Sequence, residues 1–196
     1  MKNFFFIIFF FLFSIANGQE TYSTYTSSNG VYEIKSSVVI DGKSKGEVYL
    51  DLNSDGDASL MLKTQLSRES FLNFINTTFD KFKDWKNTAL ENSVTDLNKD
   101  INSERVGDGL AFRYGSWQFN FSPINLKAVM SIDKEGKVVY YLYFPKVESS
   151  SNEYIESDSQ LLVMYEKDIN SLNTALSENM INEYLDSKSS KDDLFN

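Results

Sequence analysis

The sequence predicts an α+β domain, a largely antiparallel β-sheet packed against one long α-helix and followed by a short helical C-terminus. Three observations carry this prediction. Strand-length runs of alternating apolar and polar residues follow one another through Gly- and Asp-rich turns. One uninterrupted stretch of helical periodicity, Ser67–Glu91, divides those runs into two sets and contains neither Gly nor Pro. No regular alternation of strand and helix is present, which sets aside a doubly wound parallel sheet.

Taken in order, Met1–Lys2, the unbroken apolar run Phe4–Phe13 and the small-residue stretch Ser14–Gly18 have the arrangement of a secretory signal peptide. The run is too short to span a bilayer, which takes about 20 apolar residues. Cleavage after Gly18 is preferred and cleavage after Ala16 is the alternative; with the first, the mature chain starts at Gln19. The expected location is secreted or periplasmic, with no stable membrane insertion once residues 1–18 are removed. Residues 19–29 are polar and aperiodic and are expected to form a disordered leader. A single domain over 30–186 follows, and 187–196 is expected to be a frayed polar tail.

Within the domain, Val31–Ile34 and Val38–Ile40 are β-branched and aromatic, and Asp41–Gly46 is a turn. Val48, Leu50 and Leu52 alternate with polar partners, Asn53–Asp57 is turn chemistry, and Leu60 and Leu62 resume the alternation. The helix takes Ser67 as its expected N-cap, carries Phe71, Ile75, Phe79 and Phe82 on one stripe, and ends near Asn92. Residues 93–106 read as a further helical turn or a loop, because Leu97 and Ile101 alone do not set a period. Strands resume over Leu110–Tyr114, Trp117–Phe121 and Leu126–Ile132, then Val138–Phe144 after the Asp133–Lys137 hairpin loop. Leu161–Tyr165 is a last strand, and Asp168 and Ser177 introduce two closing helices.

Composition excludes several chemistries. With Cys 0 and His 0, disulfides, thiol catalysis, histidine bases and Ser-His-Asp triads are absent from the chain. Removing Lys2 with the leader moves the formal charge from -9 to -10, since no acidic residue goes with it. Such a balance disfavours nucleic acid and anionic membrane surfaces as partners. Carboxylates are plentiful, yet none of Glu33, Glu47, Asp51 or Asp133 is singled out as half of a catalytic pair. The sequence implies no cofactor and assigns no catalytic residue.

Two features point to binding. The first is Asp51-Leu52-Asn53-Ser54-Asp55-Gly56-Asp57, where Asp51, Asn53, Asp55 and Asp57 imitate the first half of a calcium loop. The closing bidentate Glu is missing, Leu62 standing in its place, and a hairpin turn is the favoured reading. The second is the two-sided strand Val138–Phe144, with Val139, Tyr141 and Tyr143 on the face away from Tyr140 and Leu142. That second face is covered by the C-terminal segment, or it presents Tyr141 and Tyr143, extended by Trp117 with Arg113 and Tyr114, to a protein, peptide or glycan partner, although Trp117 reads first as a core residue. Asn76-Thr77-Thr78 and Asn120-Phe121-Ser122 fit the glycosylation pattern, in helix and strand contexts unsuited to it. The expectation is an exported, non-enzymatic binding or interaction protein of the envelope or extracellular space. The alternatives are a carboxylate-dependent hydrolase of envelope glycans and a calcium-stabilised binding module.

Overall fold

The computed structural model describes residues 20–28, 33–41, 47–53 and 55–192; the expected signal peptide, 1–18, lies outside them. The first half supplies β1 (Glu20–Ser28), β2 (Glu33–Asp41), β3 (Glu47–Asp51), β4 (Ala58–Leu62) and helix α1 (Gln65–Glu91). After α1 come β5 (Leu97–Val106), β6 (Gly109–Tyr114), β7 (Ser116–Asn120), β8 (Ile124–Ile132) and β9 (Val138–Phe144). The chain closes with β10 (Glu148–Ser149), β11 (Asn152–Glu156), β12 (Gln160–Val163), α2 (Glu166–Ala175) and α3 (Glu178–Asp192). Ten strands form one sheet in the order β5-β8-β9-β12-β1-β2-β3-β4-β6-β7, every pairing antiparallel. β10 and β11 form a separate hairpin. The α+β class, with one long helix on an antiparallel sheet and short helices at the C-terminus, is therefore what the chain adopts.

The period of two sorts each strand into faces. Val48, Leu50, Leu60, Leu62, Leu110, Phe112, Ala128, Met130, Tyr140 and Leu142 share one core with the α1 residues Phe71, Phe74, Ile75, Phe79 and Phe82. Ile169 and Leu172 of α2 and Ile181 of α3 join that same core, so all three helices cover one face of the sheet. Each of these large side chains contributes roughly 1.5–3 kcal/mol by leaving water. Polar groups within the layer are matched. The Tyr140 hydroxyl sits 2.8 Å from Thr78 Oγ1, and Asn76 and Asn173 exchange two amide hydrogen bonds of 2.8 and 2.9 Å between α1 and α2. The amide of Asn76 is thus held inside the fold. Trp85 fastens α1 to β5 between two cations, with Lys81 Nζ at 4.8 Å and Lys99 Nζ at 4.2 Å from its ring centre.

Several expectations are corrected. Residues 20–28, expected as a disordered leader, form β1 and pair with β2 from Glu20↔Ile40 to Ser28↔Glu33. Residues 97–106 are neither helix nor loop but the ten-residue edge strand β5. A bulge between Asp100 and Asn102 shifts the alternation, so that Leu97 and Ile101 face inward before it and Val106 after it. The four-residue spacing of Leu97 and Ile101 fits a strand as well as a helical turn, and no single period of two runs through the segment. Part of the expected frayed tail, up to Asp192, continues α3. The N-cap of α1 is Thr64, and Ser67 is the third helical residue, completing a reciprocal capping box. Among the described residues, no helix is long and apolar enough to cross a membrane.

Candidate functional site

At one end of the sheet the β6–β7 hairpin turns at Gly115, whose φ of 68° is left-handed. The alternation along β7 places Gln118 and Asn120 on the helix-bearing side and Trp117, Phe119 and Phe121 on the opposite side. The aromatic side is open: Trp117 is 42% exposed, Phe119 38% and Phe121 62%. Three large aromatic residues on one five-residue strand and just past its end form a concentrated exposed patch, not scattered surface apolarity. The Phe119 and Phe121 rings lie parallel at 5.7 Å, with 3° between their planes. A notch of about 290 Å³ runs beside them, lined by Trp117, Gln118, Phe119, Phe121, Ser150 and Ser151.

The local sequence explains why this strand stays outside the main core. Its inner side is claimed by the β10–β11 hairpin: Ser149 Oγ donates to Gln118 Oε1 at 3.0 Å, and Asn120 Nδ2 donates to the Glu148 carbonyl at 2.9 Å. At its outer edge, Ser150 N–H donates to the Phe119 carbonyl at 2.8 Å, and Phe121 N–H donates to Ser150 Oγ at 3.1 Å. Beneath the patch, Tyr49, Met61 and Ala111 form a second small buried cluster on the sheet face away from the helices, and Ala111 stands opposite Phe119. Gly109 makes this packing possible. A Cβ there would lie 1.9 Å from the Asn120 carbonyl oxygen and 2.6 Å from Met61 Cε.

Trp117 therefore belongs to an exposed aromatic surface, as one of its two sequence readings has it. Tyr141 and Tyr143 point to the same face of the sheet but from β9, seven strand positions from β7, so the three residues are not brought together. Both tyrosines are half-buried. Tyr141 stands between Val129 and Val163 on the adjacent strands, and its hydroxyl donates to Asn98 Oδ1 at 3.2 Å. The C-terminal helices do not cover these rings, because the buried residues of α2 and α3 lie in the core on the other face.

The Asp-rich turn directs its oxygens inward to its own hairpin. Asp51 Oδ1 accepts from Ser59 Oγ at 2.6 Å, Asn53 Oδ1 accepts from Asp57 N–H at 3.0 Å, and Asp57 lies 3.8 Å from Arg113. Burial pushes the Asp51 carboxyl above the usual carboxylate range, and the Ser59 hydrogen bond partly offsets it. Asp55 lies at an exposed position of the turn, and Gly56 takes φ 65°. Among the described residues, no group of three or more Asp, Glu, His or Cys side chains is placed to hold a metal ion. Two further carboxylates serve their own hairpins: Glu47 accepts from the Tyr49 hydroxyl at 2.9 Å, and Asp133 from Lys137 N–H at 2.8 Å.

Phe119 and Phe121 were not singled out by sequence, since alternating aromatics in a strand read first as core; Tyr114, read as extending the Trp117 face, pairs with Ser116 and lies on the opposite side of the hairpin. The available signal was the polar run Glu148–Asn152, whose hairpin occupies the side of β7 that would otherwise have faced a helix. Compared with known proteins, the chain matches no family model, no curated protein and no solved structure.

Proposed function

We propose that this chain is an exported, non-enzymatic binding protein whose recognition element is the β7 edge, and that its partner presents an extended peptide segment. The observation that carries the reading is the exposed stripe of Trp117 and Phe119 on a terminal strand and Phe121 just past its end, beside a notch that these rings line with Gln118, Ser150 and Ser151. Strand addition uses such an edge: main-chain hydrogen bonds supply affinity, and alternate side chains select the sequence. Ser150 already occupies the outward Phe119 carbonyl and Phe121 N–H, so a partner strand would pair at the Ser116–Phe119 end of β7.

The two ends of the sheet differ in the way this reading requires. β5, the other terminal strand, carries Lys99, Asp100, Glu104 and Arg105 and a bulge, devices that discourage pairing with another chain. β7 carries no charged residue. A glycan platform is less well supported, because Phe119 and Phe121 stack on each other and so turn ring faces inward. Export rests on Lys2, the run Phe4–Phe13 and Ser14–Gly18, all outside the described residues.

Selection of random peptides displayed on phage against the purified protein tests the reading. Enrichment of extended, apolar-alternating peptides is expected, and their binding should fall at least tenfold on Phe121→Ser. Failure to enrich any peptide, or enrichment indifferent to Phe121→Ser, would count against it; saturable binding of soluble oligosaccharides lost in that variant would replace the peptide with a glycan.

A further inference from the structure

The main chain of the β7 edge asks more of a partner than an extended shape, an inference that rests on the peptide reading above. Arg113 N–H donates to the Asp57 carbonyl at 2.8 Å, so Arg113 and Ala111 turn their main chain away from β7, towards β4. Phe112 and Leu110 turn theirs towards β7, where they stand opposite Gln118 and Asn120. The main-chain groups of Trp117 and Phe119 therefore point outward, and no strand follows β7 among the described residues. Three of these four groups are open: both of Trp117, and the Phe119 N–H. The fourth, the Phe119 carbonyl, already accepts from Ser150 N–H at 2.8 Å.

We propose that the partner segment pairs antiparallel with β7 and sets a proline opposite Phe119, two residues before the one opposite Trp117. Hydrogen bonding selects that residue. The residue opposite Trp117 exchanges both main-chain bonds with it, donor for acceptor. The residue opposite Phe119 meets an open donor and an occupied acceptor. Its carbonyl takes the Phe119 N–H, while its own N–H would face an oxygen that Ser150 holds. An ordinary residue leaves that donor without a good partner; proline has no N–H to satisfy. Ser150 also closes the edge beyond this point, so the partner strand begins here, and the first residue of a strand is a position that tolerates proline.

The side chains agree with the main chain. Directly opposite residues share a face, as Ala111 and Phe119 do, so the proline ring would lie beside the exposed Phe119 ring. Its φ is already restricted, and it covers that surface with little loss of conformational freedom. The antiparallel direction matches every described pairing of the sheet and is the more stable one per residue.

Titration with four capped peptides, read from the indole N–H resonances of the two tryptophans, tests the proposal. The first is acetyl-Thr-Pro-Thr-Val-Thr-Val-amide, which puts proline and both valines on the aromatic face. The second carries alanine and the third N-methylalanine in place of proline; the fourth exchanges the proline with the first valine. Trp117 should shift saturably while Trp85, on α1, does not. The first peptide should bind about tenfold more tightly than the second and the fourth, and the third should recover most of that factor. Equal affinity of the first peptide with the second or the fourth, or a third as weak as the second, overturns the proline assignment. If binding is then still lost in Phe121→Ser, the peptide reading stands without it. No Trp117 shift with any peptide at millimolar concentration overturns both together. A Trp117 shift that depends on dilution of the protein alone assigns the edge to a second copy of this chain and also overturns the proposal.

Discussion

Gly109→Ala is expected to destabilise the protein by about 3 kcal/mol or more, the largest single effect in the outer half of the sheet. Two causes act together. The backbone at Gly109 has φ 136°, outside the region that L side chains adopt readily, and the new methyl would meet the Asn120 carbonyl oxygen at 1.9 Å. Both Asn120 contacts are backbone atoms, so relief requires β7 to move away from β6. Gly115→Ala is the informative control. Gly115 also has a positive φ, 68°, but an added Cβ would meet nothing within 4 Å. Only conformational strain remains there, about 1–2 kcal/mol. Urea denaturation of the two variants separates the terms, and equal losses would show that the contact with β7 is not what Gly109 provides. Because β7 carries the aromatic stripe, Gly109→Ala should weaken peptide binding as well.

Asp108→Ala is expected to cost about 2–3 kcal/mol, since its carboxylate is an N-terminal cap supplied from a distance. Asp108 Oδ2 accepts from Lys63 N–H at 2.7 Å, Thr64 N–H at 3.2 Å and Ser67 Oγ at 2.7 Å. These groups begin α1, and a negative charge at that end also complements the helix dipole. The turn between β5 and β6 is thereby tied to the start of the helix, and Asp108 N–H returns a 2.8 Å bond to the Met61 carbonyl. Asp108→Asn keeps one acceptor oxygen and should recover part of the loss. Thermal melting of both variants checks this, and a loss below about 0.5 kcal/mol for Asp108→Ala would show the cap to be dispensable.

Local pattern was sufficient wherever a residue's environment is decided by its near neighbours in sequence. The stripe Phe71, Ile75, Phe79, Phe82 marked α1, and the alternation of Val48, Leu50 and Leu52 marked the strand opposite Leu60 and Leu62. It was insufficient where a distant partner decides. The polar segment Glu20–Ser28 is a strand because β2 pairs with it along its length, and no apolar period announces that. Ser67 resembles an N-cap, yet Asp108, forty-one residues on, shifts the helix start to follow Thr64. The same limit governs the candidate site. Trp117, Phe119 and Phe121 alternate with Gln118 and Asn120, a pattern compatible with aromatics inside or outside. The β10–β11 hairpin resolves it by hydrogen-bonding Gln118 and Asn120, leaving the rings exposed.

The central claim is that the β7 aromatics are present for a partner and not for the fold. The most direct test is the unfolding free energy of the Trp117→Ser/Phe121→Ser double variant, measured in urea beside the parent. Rings that are 42% and 62% exposed should cost about 2 kcal/mol or less together when removed. A loss of 3 kcal/mol or more, the range of core aromatic truncations, would place these side chains among the determinants of the fold and contradict their assignment to recognition.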